Sequence, residues 1–193
     1  MTKNTALEKE RKLIEEAKKN PDKFTDLYDK YFAQIYRYVF RRTSGNKEVA
    51  HDITSQSFLD ALSHIHQFTW QGFPFSSWLY KIARNNVIKY YKKSSRENTS
   101  PLEKAYSLSD EKQDTKEKAE NELASDQIDK MMLKLEPEER EILRLKFFEE
   151  VSNIEIADIL GLSVSNVGVK VFRTLKKAKA FLPSKNDLKK LDE

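Results

Sequence analysis

The chain has 193 residues, of which 34% are charged, and its formal net charge of +4 hides an uneven distribution along the sequence. Only 4 residues are glycine, so an all-α fold is the natural expectation, and the lack of cysteine excludes disulfides and thiolate zinc sites. No segment is apolar and long enough to span a bilayer, and residues 1–19 lack the apolar core of a signal peptide. We therefore expect a soluble, cytoplasmic protein.

The first half of the chain is predicted to form a helical domain over residues 20–95, after a charged helical lead-in at 1–19 that has little to bury. A helix from Pro21 follows the three- and four-residue spacing of its apolar side chains: Phe24, Leu27, Tyr28, Tyr31, Ile35, Tyr38 and Val39. Gly45-Asn46 breaks it, and a second helix is expected at about 47–64. Its inner face comprises Val49, Ala50, Ile53, Phe58, Ala61 and Leu62.

A third helix is expected from Trp78 to about residue 93, with Ser76 or Ser77 as its cap. Gly72 and Pro74 prevent regular helix in the segment before it. The composition then becomes polar and net acidic, which predicts a linker at 96–123.

A second helical domain is predicted at 124–182, followed by a frayed tail at 183–193. Its helices are expected at about 125–135, 137–149, 153–160 and 164–181. Apolar side chains supply a small predicted core: Ile142, Leu143, Leu145, Phe147, Phe148, Ile154, Ile156, Ile159, Leu160, Val167, Val171 and Leu175.

The turn between the last two predicted helices is the most informative feature of the sequence. An apolar helix ends at Gly161, and Ser163 begins a second helix that contains no acidic residue as far as Leu182. This is the layout of a helix-turn-helix, whose second helix enters the DNA major groove. Its free face carries side chains suited to base edges and phosphates: Ser165, Asn166, Lys170, Arg173 and Lys177. The alternative is a solvated basic face on a small helical domain.

The third helix of the first domain combines cations with nearby aromatic rings. Its polar stripe consists of Lys81, Arg84, Asn85, Lys89 and Lys92, followed by Lys93. The preceding loop holds Phe68, Trp70, Phe73 and Phe75, and Trp78 opens the helix. Aromatic rings beside a cationic groove are suited to binding unstacked bases, and each base that stacks on a ring contributes about 1–3 kcal/mol to the binding free energy. The alternative is that Phe68, Phe75 and Trp78 are core residues beneath the loop. Trp70 and Phe73 are the rings expected to be exposed, because they flank the flexible Gly72.

No enzyme motif is present in the sequence. The only histidines are His51, His64 and His66, and no two of them have the four-residue spacing that puts metal ligands on one helix face. There is no glycine-rich phosphate loop and no nucleophile motif. We therefore expect no catalytic residue, no metal and no cofactor.

Two blocks resemble conserved regions of bacterial sigma factors. Residues 52–58 (DITSQSF) and 75–85 (FSSWLYKIARN) resemble region 2, and residues 135–143 (LEPEEREIL), with the helix-turn-helix after them, resemble region 4. A short linker in place of a middle domain is similar to the compact extracytoplasmic-function (ECF) group. The resemblance covers about residues 20–95 and 124–182.

The resemblance implies a transcription initiation factor that binds core RNA polymerase and directs it to promoters. In the family, the second helix of region 2 docks on the largest catalytic subunit, and the matching positions here are Asp52, Gln56 and Phe58, with Leu59 nearby. His51 replaces a usual acid, so the docking surface is expected to be tuned differently.

The family also recognises two promoter elements. Region 2 melts the −10 element and captures flipped non-template bases. The matching positions are Trp70, Phe73, Trp78, Lys81, Arg84, Asn85, Lys89, Lys92 and Lys93. Region 4 recognises the −35 element, and the matching positions are Ser165, Asn166, Lys170, Arg173 and Lys177. Gly168 stands where a lysine or polar residue is usual.

The expected partners are core RNA polymerase, promoter DNA as duplex and as melted non-template strand, and an anti-sigma factor, with no membrane insertion. The alternative is a conventional helix-turn-helix regulator with a helical effector or dimerisation domain, which would bind duplex operator without polymerase. The block from Trp70 to Asn85 has no place in such an effector domain. An anti-sigma or other protein-binding module is a third class, but it predicts no basic recognition helix.

Overall fold

The computed structural model describes residues 3–97 and 127–182, and both stretches are helical without a strand. They belong to two compact units. The predicted all-α class is confirmed. The tail at 183–193 and the predicted linker beyond residue 97 lie outside the described residues.

The first unit is built around a bundle of three long helices. Its elements are α1 (Lys3–Lys19), a 3₁₀ turn (Pro21–Lys23), α2 (Phe24–Arg42), α3 (Lys47–His64), a second 3₁₀ turn (Ile65–Gln67) and α4 (Phe75–Glu97). Helices α2, α3 and α4 pack on one another. The α3 bounds agree with the prediction because Asn46 caps it, its side chain accepting a hydrogen bond from the Val49 N–H at 3.0 Å.

The core of this unit contains the apolar stripe predicted for α2, joined by aromatic residues from α3 and α4. Phe24 makes edge contacts with Phe58 and with Phe75, at ring-centroid distances of 6.4 and 6.5 Å. Tyr38 and Tyr80 meet at 5.1 Å. These long-range aromatic contacts fix the three helices against one another.

The start of α4 differs from the prediction. The helix begins at Phe75, so Ser76 and Ser77 lie inside its first turn, where both are buried. Neither serine is the residue that precedes the helix, and the predicted caps are wrong. Pro74 precedes the helix instead, and its carbonyl accepts a hydrogen bond from the Ser77 N–H at 3.0 Å.

The lead-in helix also differs from the prediction that it has little to bury. Ile14 and Ala17 of α1 are almost fully buried, and Glu10 is buried with them. Helix α1 packs on α2 and on the 3₁₀ turn that follows α3. The buried side of α1 was not recognised in the sequence because a charged residue, Glu10, occupies one of its inward positions.

The described part of the second unit starts with a helical segment at 127–133, here called α5. It continues with α6 (Pro137–Leu143), a π-helical turn (Arg144–Phe148), α7 (Asn153–Leu160) and α8 (Val164–Phe181). Ile142, Leu145, Ile156 and Val167 are fully or almost fully buried, as predicted. A further cluster joins α5 to α6 and α8: Met131, Met132, Leu135, Leu143 and Ala178, with Phe181 packed against it.

Four residues of the predicted core are exposed: Phe147, Phe148, Ile154 and Leu175. The π turn changes the angular step per residue after Leu143, so Phe147 is 52% exposed instead of continuing the α6 stripe. Ile154 lies in the first turn of α7. On α8 the buried positions are Val167, Thr174 and Ala178, which leaves Leu175 at the edge of the inward face.

Candidate nucleic-acid interface

The helix-turn-helix in the second unit is closed by backbone and side-chain caps. Gly161 has φ 68°, the left-handed conformation that ends a helix and that glycine adopts most easily. The Leu162 N–H donates to the Ala157 carbonyl at 2.9 Å, and the Ser163 hydroxyl accepts from the Asn166 N–H at 3.3 Å. The turn therefore fixes the direction in which α8 leaves α7.

The residues predicted to contact the −35 element fall into two groups. Ser165, Asn166 and Arg173 are exposed on α8. Lys170 and Lys177 are half-buried and ion-paired with α6, Lys170 with Glu138 at 3.1 Å and Lys177 with Glu139 at 2.7 Å. The face is thus less cationic than the sequence implies, since two of its lysines already have carboxylate partners.

The contacts of Glu139 favour its charged form. Burial raises the pKa of Glu139, but the hydrogen bond from Lys177, the Glu136 N–H and the charges of Lys177 and Lys170 outweigh it. The pKa of Glu139 therefore lies below its ordinary value of 4.5. A lowered carboxyl pKa stabilises the fold above the pKa of the unfolded chain, and this contribution is lost only in acid.

The exposed face of α8 also contains apolar residues that the sequence analysis did not single out. Val169 and Phe172 are exposed, Phe172 by 70%. Together with Ser165 and Lys176 they follow helical spacing along one face. This periodicity is the signal in the sequence that could have revealed them. Gly168 is only half-buried, and a Cβ at this position would meet the Asn153 side chain at 4.0 Å.

The cationic stripe of the first unit lies on one exposed face of α4. Lys81, Asn85, Lys89, Lys92 and Lys93 are exposed, and Arg84 is half-buried. The residues Lys81, Asn85 and Lys89 are four positions apart, which aligns them along the helix. The opposite side, with Leu79, Ala83 and Val87, is fully buried.

Of the aromatic residues in the loop and at the start of α4, only Phe75 is buried, whereas Phe68, Trp70, Phe73 and Trp78 are all half-buried. Phe75 is fully buried, and Phe68 and Trp78 pack against it and each other, with centroid distances of 5.1–5.4 Å. Trp70 and Phe73 are half-buried on either side of Gly72, which has φ 82° and no atom within 4 Å of a Cβ built on it. The loop therefore rests on a fixed aromatic base but has an open tip.

The predicted polymerase-docking residues on α3 are not equivalent. Asp52, Gln56 and Leu59 are exposed at successive helical spacings, and Leu59 is 57% exposed. Phe58 is only 3% exposed and contacts Tyr28 at 4.9 Å, so its prediction as a direct contact is wrong. A large aromatic side chain at that position is drawn into the core between α2 and α3.

Tyr28 of the predicted α2 stripe belongs to a row of half-buried aromatic residues whose other members the sequence analysis missed. Their four-residue spacing places successive rings 4.9–6.2 Å apart, along Tyr28, Phe32, Tyr36 and Phe40. His51 of α3 lies 5.9 Å from the Phe32 ring. This aromatic row therefore adjoins the start of α3, next to Asp52.

The described part of the chain contains neither a candidate metal site nor a candidate membrane span. No group of three or more His, Cys, Asp or Glu residues there could hold a metal ion. No helix there is long and apolar enough to cross a membrane.

Comparisons with known proteins match both units. Residues 27–97 match the family Sigma-70 region 2, and residues 125–177 match Sigma-70, region 4. The chain is 32% identical over 156 residues to the RNA polymerase sigma factor YlaC of Bacillus subtilis, covering 80% of this chain and 89% of that protein. It is 30% identical over 162 residues to the ECF RNA polymerase sigma factor BldN of Streptomyces coelicolor. That alignment covers 84% of this chain and 61% of BldN.

Solved structures show the same fold. The sigma factor RpoE from Bartonella quintana, in complex with the anti-sigma factor NepR, matches with a TM-score of 0.62 at 18% identity. The match covers 82% of this chain and 95% of that one.

Two helical units of this kind, matching regions 2 and 4, define an RNA polymerase sigma factor. The chain belongs to the ECF sigma factor family. It is a transcription initiation factor that directs RNA polymerase to promoters, and the conventional regulator is not favoured. Its partners are core RNA polymerase and promoter DNA. Sigma factors are non-catalytic initiation factors that act on RNA polymerase in the cytoplasm.

Proposed function

We propose that each surface described above has one task in initiation: α4 with its loop opens the −10 element, α8 recognises the −35 element, and α3 docks on core polymerase. The observation that carries this assignment is the loop at 68–74. Its half-buried aromatic residues Trp70 and Phe73 lead directly into α4, whose exposed face is cationic, a combination that a duplex-binding regulator does not need.

At the −10 element, Trp70 and Phe73 are the base-contacting residues of this proposal. A flipped base must be stacked or bonded elsewhere, because leaving the duplex costs a few kcal/mol. Lys81, Arg84, Asn85 and Lys89 would contact the captured strand, and Lys92 and Lys93 its phosphates. Trp78 supports the loop from below, since its ring packs on Phe68 and Phe75.

At the −35 element, Ser165, Asn166 and Arg173 are the residues best exposed for base edges. Lys170 and Lys177 would contact DNA only by leaving or sharing Glu138 and Glu139. Exposed Phe172 offers an apolar surface that can meet a thymine methyl group.

For polymerase docking we assign Asp52, Gln56 and Leu59, with the aromatic row of α2 as the adjoining surface. An exposed leucine beside a carboxylate is typical of a protein interface, where an apolar centre has a polar rim. Phe58 acts beneath this surface by holding α3 against α2.

We further propose that an anti-sigma factor binds this chain, as NepR binds RpoE in the similar structure. The chain is expected to work in the cytoplasm and to have no catalytic activity of its own.

Run-off transcription with purified core polymerase tests the function. Promoters are selected from start sites mapped after overexpression, and the templates carry point changes at −10 or −35. Initiation at these start sites only when the chain is added supports the proposal. Repression, or initiation that does not depend on the chain, would contradict it.

The residue assignments are tested in the same assay with paired variants. Trp70→Ala should lose transcription from duplex templates but recover on templates with a preformed bubble at −10, because only melting is affected. The control is Thr69→Ala, an exposed neighbour that is not aromatic. If both variants behave alike, Trp70 has no special role in capturing bases.

A further inference from the structure

The buried carboxylate of Glu10 joins the lead-in helix to the start of α4. Glu10 is 5% exposed, and its two oxygens have different partners. Oε1 accepts a hydrogen bond from the backbone N–H of Phe75, 65 positions away in sequence. Oε2 accepts from the Lys30 ammonium at 2.7 Å.

This contact replaces a cap that the neighbouring sequence cannot provide. A helix leaves its first four N–H groups without intrahelical partners, and a residue just before it normally supplies the acceptor. Here that residue is Pro74, whose side chain has no acceptor atom. A carboxylate at a helix N-terminus is also favoured by the helix dipole. Glu10 therefore supplies both the acceptor and the charge from another helix.

Helix α1 contacts the loop at its other end as well. The Lys18 ammonium lies 6.0 Å from the centroid of the Phe68 ring, and Lys18 is held by Glu15 at 2.9 Å. Ile14 and Ala17, which lie between these contacts, are each 1% exposed. Phe68 begins the loop, and Phe75, the first residue of α4, directly follows it. Helix α1 therefore contacts both ends of the segment that carries Trp70 and Phe73.

We propose that α1 is a brace for the loop at 68–74 and that Glu10 is its positioning residue. By holding the Phe75 N–H, Glu10 fixes where the loop enters α4, so Trp70 and Phe73 are ordered before DNA arrives. Ordering before binding strengthens capture, because the captured strand then bears less of the entropy cost. The inference rests on the proposed role of this loop at the −10 element.

The test uses the full chain assembled with core polymerase. Glu10→Ala removes the acceptor, and Lys30 is left 45% exposed, where water can solvate it. Two quantities are measured: affinity for a single-stranded oligonucleotide carrying the non-template −10 sequence, and permanganate reactivity of −10 thymines in duplex promoter. Loss of a helix cap is expected to lower both by about tenfold. Assembly with polymerase and binding to −35 duplex should be unchanged.

Ile35→Val is the matched control, because Ile35 is fully buried in α2 and the change weakens the same unit without touching the cap. The double variant Glu10→Gln/Lys30→Met provides a rescue, since it keeps an acceptor for Phe75 and removes the lysine that would face the amide. It should recover most of the lost affinity. Hydrogen exchange at the Phe75 amide should be fast in Glu10→Ala and slow again in the double variant.

The inference is overturned if Glu10→Ala captures the oligonucleotide as well as the unchanged chain, or if Ile35→Val loses as much at a similar melting temperature. It is also overturned if the double variant restores slow exchange at Phe75 without restoring capture. Failure of the unchanged chain to capture the strand, although it assembles with polymerase, would instead contradict the proposed function of the loop.

Discussion

At the scale of single residues, Arg173 is the clearest candidate for base recognition. Unlike Lys170 and Lys177, it is exposed on α8 without a carboxylate ion pair in the described residues. Arginine can donate two parallel hydrogen bonds to a guanine edge, which a lysine cannot do with the same geometry.

Arg173→Ala is therefore expected to cost about 1–3 kcal/mol in binding to the preferred −35 sequence and to relax the preference at one base pair. Binding of holoenzyme to a set of single-base −35 variants measures both effects. Lys179→Ala, in the exposed last turn of the same helix, should leave base preference unchanged. An unchanged preference in Arg173→Ala would remove this residue from the groove.

The two ion pairs between α6 and α8 lead to a second prediction. Glu139→Gln keeps an acceptor for the Glu136 N–H, now 2.9 Å away, but releases Lys177. A freed lysine that neutralises one phosphate steepens the slope of log affinity against log salt by about 0.9, and −35 duplex should bind more tightly at low salt. Titrations at several salt concentrations measure this slope.

Glu150→Gln makes the same charge change at an exposed position outside these ion pairs. If Glu139→Gln gives no larger change in slope than this control, Lys177 makes no phosphate contact. The half-buried Lys177–Glu139 pair is still reached by water, so it stabilises the fold little, by about 0–1 kcal/mol, and the unfolding free energy should change only slightly.

At the scale of elements, α8 contains a glycine where a better helix former fits. A Cβ on Gly168 would make an ordinary contact with the Asn153 side chain, at 4.0 Å, and the position has no positive φ. Gly168→Ala should therefore stabilise the helix by about 0.5–1 kcal/mol, measured by denaturant unfolding of the full chain. Val169→Ala, an exposed neighbour, is the control for a change in side chain alone.

The same variant tests whether the backbone at Gly168 approaches a phosphate. Binding to −35 duplex should be unchanged in Gly168→Ala if α8 contacts DNA through the side chains named above. Weaker binding together with higher stability would mean that the glycine is needed for close approach of the helix to DNA.

The sequence predicted those helix ends that are fixed by residues close by in the chain. Asn46 marks the start of α3 and Gly161 the end of α7, because both act through bonds within their own turns. Glu10 could not be recognised in this way, since its partner is 65 positions away. The ion pairs of Lys170 and Lys177 likewise exist only once α6 and α8 are packed.

Burial could be predicted only while helical periodicity was regular. The π turn at Arg144–Phe148 changes the period, and Phe147 and Phe148 become exposed. Conversely, Phe58 was predicted both as a core residue and as a docking residue. Its contacts with α2 place its side chain in the core. The sequence therefore predicted which helix faces form the candidate site, but not which side chains on them are buried.

At the scale of the whole molecule, the docking surface on α3 and the DNA-contacting surfaces on α4 and α8 all contribute to one binding reaction. Each DNA-contacting unit alone is expected to bind weakly, and polymerase that holds the chain raises the effective concentration of both. Adding more chain should therefore restore transcription after a substitution in the docking surface. It should not restore promoter preference after a substitution in a DNA-contacting surface.

Asp52→Ala and Leu59→Ala should each weaken assembly with core polymerase by about tenfold or more, as truncation of a central interface residue does. Run-off transcription should fall accordingly and return when more chain is added, with the same start sites, because promoter recognition is intact. Glu16→Ala, an exposed carboxylate on α1, is the control and should assemble normally. Arg173→Ala, by contrast, should not recover its promoter preference at any concentration. If excess chain fails to restore transcription in Asp52→Ala, or if the start sites move, then α3 contributes to promoter recognition and is not simply the docking surface for polymerase.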